Sequence, residues 1–279
     1  MSKITQALEL VAASKMKYFQ KKALATRSYA WSLLDILELM ESHINEHPFA
    51  EKRTASGIVF VLVTSDKGLC GSLNIELSRK LFQSAIWKDT DPSERILITI
   101  GKKSQAAALA HGVQPHKSFS ALGEDINALT ALGIVDTLVD IWNKETISKV
   151  ILISPHYVSP FESHVTFKTF LPMDADMVRT HTQFKIAVHE KTQPEVDYLE
   201  PDKESVQEKL FNQLLLVLFL QSFYELKASE YSSRMVAMKK ATDAARDIIT
   251  DLSLEYNKVR QATITQQLAE LASASDDNT

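Results

Sequence analysis

The chain has 279 residues, of which 45% are hydrophobic and 24% charged, and its formal net charge is −4. These values describe ordinary globular usage, exclude a globally basic nucleic-acid binder, and allow one or two domains with a sizeable core. The single cysteine, Cys70, excludes an internal disulfide and a cysteine-rich zinc site, and fits a reducing compartment.

Chain breakers are scarce and unevenly placed. There are seven glycines and eight prolines, about 5% of the chain where ordinary usage is about 12%. Residues 1–47 and 202–279 contain neither type. This argues against a β-sandwich, a collagen or a Pro/Gly-rich disordered protein. The N-terminal sequence lacks the uninterrupted apolar run of a signal peptide. The most apolar run, Leu214 to Leu220, is far shorter than the ~20 residues of a membrane helix.

Residues 3–45 read as helix. Apolar or aromatic residues recur at Ile4, Leu8, Val11, Tyr18, Ala25, Tyr29, Ile36 and Leu39 in alternating steps of four and three, interrupted by Lys15, Lys22 and Ser32. Charge here is lopsided: Lys3, Lys15, Lys17, Lys21, Lys22 and Arg27 stand against Glu9 alone within residues 1–29. Such a run is either a solvated helix face or a surface for an acidic partner.

Residues 57–173 change character. Ile58 to Val63 is a continuous β-branched and apolar run, the signature of a strand buried on both faces. A tight turn, Asp66 to Gly71, leads into a helix over Ile75 to Trp87 with Asn74 as its N-cap. Arg95 to Ile100 is then a strand and Lys102 to Ala110 a helix. Asp125 to Trp142 is mostly helix with Gly133 as a candidate break, and Lys149 to Ile153 is a strand. This alternation predicts an α/β layer with mainly parallel pairing. Val165 to Phe170 alternates at period two and predicts a more exposed strand; Phe184 to His189 reads as one more strand or a loop.

The helical pattern resumes near Asp202 and runs to about Ala272. Met235, Met238, Thr242, Ala245, Ile249, Leu252, Tyr256, Val259 and Thr263 alternate in steps of three and four, which marks a coiled-coil seam. Seventy helical residues span about 105 Å, more than a compact α/β domain needs, so this helix must project. A projecting helix with one apolar seam needs a partner, and the other breaker-free end supplies one. The expected fold is therefore a long antiparallel coiled coil of N- and C-terminal helices with an inserted Rossmann-like α/β domain. Its divisions are residues 1–47 and 202–279 for the paired helices and 57–201 for the globular part.

Catalytic motifs do not emerge. The Asp66 to Ser72 turn lacks the spacing of a phosphate loop or of a dinucleotide fingerprint, so a structural turn is favoured over a nucleotide site. Cys70 reads as a small buried hydrophobe. His43 and His47 sit four apart on the helical reading, but Asn45-Glu46 between them matches no metalloprotease signature. No cofactor or metal is predicted. Nucleotide binding by an α/β protein with a coiled-coil dimerisation arm is the alternative reading, and it rests on the Asp66 to Ser72 turn.

Three segments carry a family resemblance. Ile4 to Met16 (ITQALELVAASKM) resembles the N-terminal helix of the gamma subunit of F-type ATP synthases, and Thr64 to Asn74 (TSDKGLCGSLN) resembles that family's strand-turn-helix signature. Ser233 to Met238 (SRMVAM) together with Tyr256 to Gln266 (YNKVRQATITQ) resembles its C-terminal helix. The order and spacing of the three segments cover nearly the whole chain.

The resemblance implies a rotor shaft that makes and breaks no bond itself. Its partners would be the alpha and beta subunits of the hexamer, the epsilon subunit and the membrane c-ring, with no nucleic acid. It implies contacts to the catalytic subunits from Lys15, Met16, Lys17, Arg234, Gln261 and Thr265, and contacts of Lys21 and Lys22 with an acidic lever on those subunits. The family's pattern also has a basic helical segment before the ITQAL-like motif, where this chain starts almost at that motif. Gln267 stands where the family commonly has Glu. The expected location is the cytoplasmic face of a bacterial plasma membrane, as a peripheral component, with the mitochondrial inner membrane as the alternative.

Overall fold

A computed structural model describes residues 2–39, 47–144, 146–173 and 202–276. The first element is helix α1 (Ser2–Leu39), and the last is helix α6 (Lys203–Asp276), 74 residues long. At 1.5 Å per residue α6 spans about 111 Å. Between them lie β1 (Gly57–Val63), α2 (Leu73–Gln83), α3 (Ala85–Asp89), β2 (Arg95–Ile100) and α4 (Lys102–Ala110). There follow β3 (Lys117–Phe119), α5 (Ala128–Trp142), β4 (Ile147–Ser159) and β5 (Glu162–Leu171).

The strands form one sheet in the order β3-β2-β1-β4-β5. β1 pairs in parallel with β2 and β4, β3 pairs in parallel with β2, and β5 runs antiparallel along β4. The chain thus enters at the centre, winds outward through β2 and β3, and returns to the other side of β1. Val59 to Val63 are fully buried, as a central parallel strand covered on both faces requires. β5, at the edge, is largely half-exposed.

The two terminal helices run antiparallel. Thr5 is bonded to Thr242 and Arg27 to Glu225, while Tyr29 accepts a long bond from Gln213. The buried seam of α1 is Ala12, Met16, Phe19, Ala23, Ala30, Leu33 and Leu37. This is the expected three–four alternation displaced by one residue. Ile4, Val11, Tyr18, Tyr29 and Ile36, placed on the seam by the sequence pattern, are each more than 40% exposed. One residue is about 100° around a helix, so the larger side chains lie beside the seam while small alanines let the helices approach. Lys15, Lys22 and Ser32, which interrupted the expected seam, do so because they do not belong to it.

The C-terminal seam also stops early. Met238 and Thr242 are buried, whereas Ile249, Leu252, Tyr256 and Val259 are each more than half exposed. The reason is geometric. α1 has reached its first turn opposite Thr242, and residues 246–268 of α6, about 35 Å of helix, are exposed beyond it. At its other end α6 belongs to the globular part. Phe211, Leu214, Leu215, Val217, Leu218 and Phe219 are buried in the same apolar core as β1 and β4.

Three local expectations change. The helix over Ile75 to Trp87 is two helices: it breaks at Ser84, whose hydroxyl accepts from the Trp87 amide and restarts the chain as α3. Asn74 is not an N-cap; it lies inside α2, and its side chain reaches back to Ser65 and Cys70. Gly133 does not interrupt α5, which is capped by Asn127. The Phe184 to His189 reading lies outside the described residues, as does His43. His47 is described and stands outside helix α1.

Candidate functional site

Among the described residues no three His, Cys, Asp or Glu side chains group as a metal site. The features that stand out are charged joints between the long helices and the globular part.

The Asp66 to Ser72 turn follows β1 at the carboxyl end of the sheet, next to the point where strand order reverses between β1 and β4. Open α/β sheets ordinarily take ligands there. In this chain the turn's polar groups are engaged internally. An Asp66 carboxylate oxygen accepts from the Lys102 and Ala121 amides, at 2.9 and 3.2 Å, at the N-terminus of α4. The Gly68 carbonyl accepts from the Arg234 guanidinium at 3.1 Å. The buried Cys70 thiol lies 3.1 Å from the Asn74 amide. Ser232 of α6 likewise donates to the Pro160 carbonyl at the β4–β5 turn. The long helix therefore passes across the carboxyl ends of β1 and β4 and is fastened to both. An open groove of about 290 Å³ remains beside it, lined by Gly71, Ser72, the Ser159–Ser163 turn and the α6 face that includes Lys240.

Below this crossing, Glu225 of α6 has a fully buried carboxylate shared by three cationic or ionisable partners. Arg27 of α1 donates at 2.7 Å, Lys168 of β5 at 2.9 Å, and the His156 ring nitrogen of β4 lies at 3.1 Å. Gln221, one turn earlier on α6, donates at 3.2 Å. Burial works to raise the Glu225 pKa, but Lys168, His156 and Arg27 together overcome it and hold the carboxyl well below its usual range. A second buried acid, Glu230, pairs with Lys227 at 3.2 Å and Arg234 at 2.7 Å.

The lysine run of α1 meets the β3–α5 loop. Lys15 pairs with Glu124 and Lys22 with Asp125, and Tyr18 donates to Asp125 at 2.9 Å. The Lys15 bond is the main reason the Glu124 pKa falls. Burial lowers the Lys22 pKa, but the bonds to Asp125 and Tyr18 outweigh it and the net shift is upward. Gly123, at φ +79°, occupies the left-handed region that presents this acidic pair.

The residues singled out from sequence separate accordingly. Lys15 and Lys22 are half-buried and internally paired, whereas Lys17 and Lys21 are exposed. Met16 is 5% exposed in the α1–α6 seam, in a cluster with Phe19 and Tyr231. Arg234 is 9% exposed and bound to Glu230 and Gly68. Gln261 and Thr265 are exposed on one face of the unpaired stretch of α6, where the Thr265 hydroxyl donates to the Gln261 carbonyl at 2.9 Å. Glu124, Asp125, Glu225 and Glu230 were not anticipated. The one signal for the last two was the pair of acids flanking Lys227 within an otherwise apolar stretch of α6.

Comparison with known proteins follows the same outline. A family profile described as ATP synthase matches residues 1–276. The ATP synthase gamma chain of Acidithiobacillus ferrooxidans is 32% identical over 273 residues, covering 97% of this chain and 92% of the relative. The gamma chain of Polaromonas naphthalenivorans is 33% identical, covering 96% and 91%, and that of Nitrosococcus oceani is 34% identical with the same coverage. Among solved structures, a chain of the Tetrahymena thermophila mitochondrial ATP synthase central stalk and c-ring superposes with a TM-score of 0.64 at 24% identity, covering 86% of this chain and 99% of that one. A chain of the Euglena gracilis mitochondrial ATP synthase rotor gives a TM-score of 0.53 at 14% identity, with 94% and 98% covered.

Proposed function

The chain belongs to the ATP synthase gamma-chain family, and we propose on that premise that it is the central-stalk rotor subunit of a proton-translocating F-type ATP synthase. It transmits torque between the membrane c-ring and the catalytic hexamer of alpha and beta subunits, and drives the hexamer's nucleotide sites through their conformational cycle. The ATP synthase and ATPase activity is the complex's; this chain turns and makes no bond. The epsilon subunit is its neighbour on the globular part. The bacterial origin of the relatives favours the cytoplasmic face of a plasma membrane, with the mitochondrial inner membrane as the alternative. No helix among the described residues is long and apolar enough to cross a membrane, so attachment runs through the complex.

The observation that carries this reading is the shape of α6. One end is buried in the α/β core, the middle is paired with α1, and residues 246–276 project without Gly or Pro. A helix of this kind is stiff, and pairing stiffens it further. The projecting end exposes Ile249, Leu252, Tyr256 and Val259, an apolar surface of the kind that a surrounding protein collar covers.

The proposed catalytic-subunit contacts divide by their surroundings. Lys17, Lys21, Gln261 and Thr265 face solvent and meet the hexamer directly. Lys15 and Lys22 meet it by exchanging an internal carboxylate for an external one. Exposed ion pairs are worth about 0–1 kcal/mol, weak enough to be exchanged on every turn. Met16 and Arg234 are buried and act by setting the shape of the shaft. The test is reconstitution of a gamma-depleted complex with this chain. ATP-driven proton pumping should return, and the isolated chain should not hydrolyse ATP. Turnover by the chain alone would refute the reading.

A further inference from the structure

We propose that the β3–α5 loop is an internal competitor for the shaft's partner: Glu124 and Asp125 occupy Lys15 and Lys22 as a latch, and an acidic segment of the surrounding catalytic subunits binds those lysines by displacing it. This rests on the rotor reading above and supplies the regulation of its lysine contacts.

Lys15, Tyr18 and Lys22 stand at steps of three and four on α1 and so share one face of the helix. Two consecutive acids of the loop cover that face. Glu124 binds Lys15, and Asp125 binds Lys22 and accepts from the Tyr18 hydroxyl at 2.9 Å. Each of the four charged side chains keeps 33–44% exposure. Ion pairs exposed to this degree favour the closed form by up to about fivefold each, so a competing carboxylate can open them.

The lysines do not depend on the loop for their position. The Lys22 ammonium lies 4.9 Å from the centre of the Tyr18 ring and 5.2 Å from that of Tyr224, and the Lys15 ammonium lies 5.7 Å from that of Tyr231. Ring faces attract cations at such distances. Tyr224 and Tyr231 belong to α6 and stack with Phe19 of α1, so the pairing of the two helices fixes them. When the loop carboxylates leave, the ammonium groups stay presented, and an incoming carboxylate meets a site already arranged.

The loop is anchored at its ends and exposed between them. At one end the Ala121 amide donates to Asp66 at 3.2 Å; at the other Ile126 is buried and Asn127 caps α5. Gly123, Glu124 and Asp125 between them are exposed. Charge identifies the partner. Lys67 also lies 3.8 Å from Glu124, so three cations face two carboxylates, and Lys17 and Lys21 add two exposed cations on the same helix. The latched surface keeps a positive excess, which attracts an acidic segment and brings it within reach of the pairs.

Glu124→Gln with Asp125→Asn removes the competitor and leaves both lysines. The full-length chain is titrated with a fluorescent oligoglutamate peptide, and binding is read by anisotropy. At low salt the double variant should bind about fivefold more tightly than the unmodified chain. The difference should vanish near about 1 M salt, where charges are screened within about 3 Å. In a chain that carries Lys15→Gln and Lys22→Gln, the same two loop changes should no longer tighten binding. Gly123→Ala keeps both carboxylates but strains the φ +79° backbone that presents them, and it should shift the affinity in the same direction.

No binding by the double variant, or an affinity equal to that of the unmodified chain, overturns the proposal. So does a gain that persists without the two lysines, which a change in overall charge alone would give. The titration needs no complex, so either result leaves the rotor reading standing; failure of the unmodified chain to restore pumping refutes that reading instead.

Discussion

Placing an aspartate at Val11 and at Ala12 tests the packing of the shaft within a single turn of helix. Val11 is 52% exposed and belongs to the seam that the sequence pattern suggests; Ala12 is 1% exposed and belongs to the seam that the structure shows. Ala12→Asp also carries a helix-propensity cost of about 0.7 kcal/mol that Val11→Asp largely avoids, small beside the burial term compared here. Val11→Asp places its carboxylate in water and should cost no more than about 1 kcal/mol. Ala12→Asp forces a charged group into the cluster of Met16, Phe19, Ala228 and Tyr231. There it has neither room nor a partner, and overpacking and uncompensated charge together cost about 3–5 kcal/mol. The difference of about 3 kcal/mol corresponds to a factor of about 100 in the opening equilibrium. Native-state hydrogen exchange of the amides from residue 8 to residue 20 reads that equilibrium, since the arm can open without unfolding the sheet. Equal acceleration in the two variants, or a larger effect at Val11, would refute the one-residue rotation of the seam.

Three further outcomes follow from other parts of the molecule. Gly101 caps α4 at φ +95°, and a Cβ there would stand 2.2 Å from the Thr64 carbonyl oxygen, so Gly101→Ala should lower stability by more than about 1 kcal/mol in urea titration. Burial against Phe211 lowers the His47 pKa below its ordinary value, and its Nδ1 accepts from the Phe49 amide. The unfolded chain therefore binds the extra proton first. The stability His47 contributes is present above about pH 6.5 and is lost as pH falls from there through the lowered folded-state value; His47→Phe should flatten this part of the stability–pH curve. Glu124→Gln combined with Asp125→Asn should cost about 0–2 kcal/mol in total at low salt and less at high salt, because both pairs are surface pairs. A salt-independent loss in thermal denaturation would contradict their assignment as releasable contacts.

The sheet was the most legible part of the sequence. Ile58 to Val63 is a continuous apolar run, and Ile96 to Ile100 is one interrupted by Thr99 alone; both are bounded by turns, as a buried parallel strand requires. The length and direction of the terminal helices were legible for a related reason: without Gly or Pro there is nothing to stop them. The register of α1 was not. Ala12, Ala23 and Ala30 carry the seam, and alanine is too weakly hydrophobic to outvote Ile4, Tyr18 or Ile36 in a periodicity count. The extent of pairing was hidden too. The apolar spacing of α6 continues far past Thr242, and the sequence does not distinguish a face that meets α1 from one that projects beyond it.

The charged joints were illegible for a deeper reason. Glu225 gains its partners from positions 27, 156 and 168, which only the fold brings together. Lys15 and Lys22 read as part of one basic face, and only the β3–α5 loop separates them from Lys17 and Lys21. Asn74 shows the same effect on a small scale: a good capping residue by type, it is drawn inward by Ser65 and Cys70.

Rotation is the most direct test of the account. With the hexamer fixed to a surface and a bead or rod attached to the globular part of this chain, added ATP should drive continuous rotation in one direction. Complexes that hydrolyse ATP while this chain stays fixed relative to the hexamer would contradict the central claim.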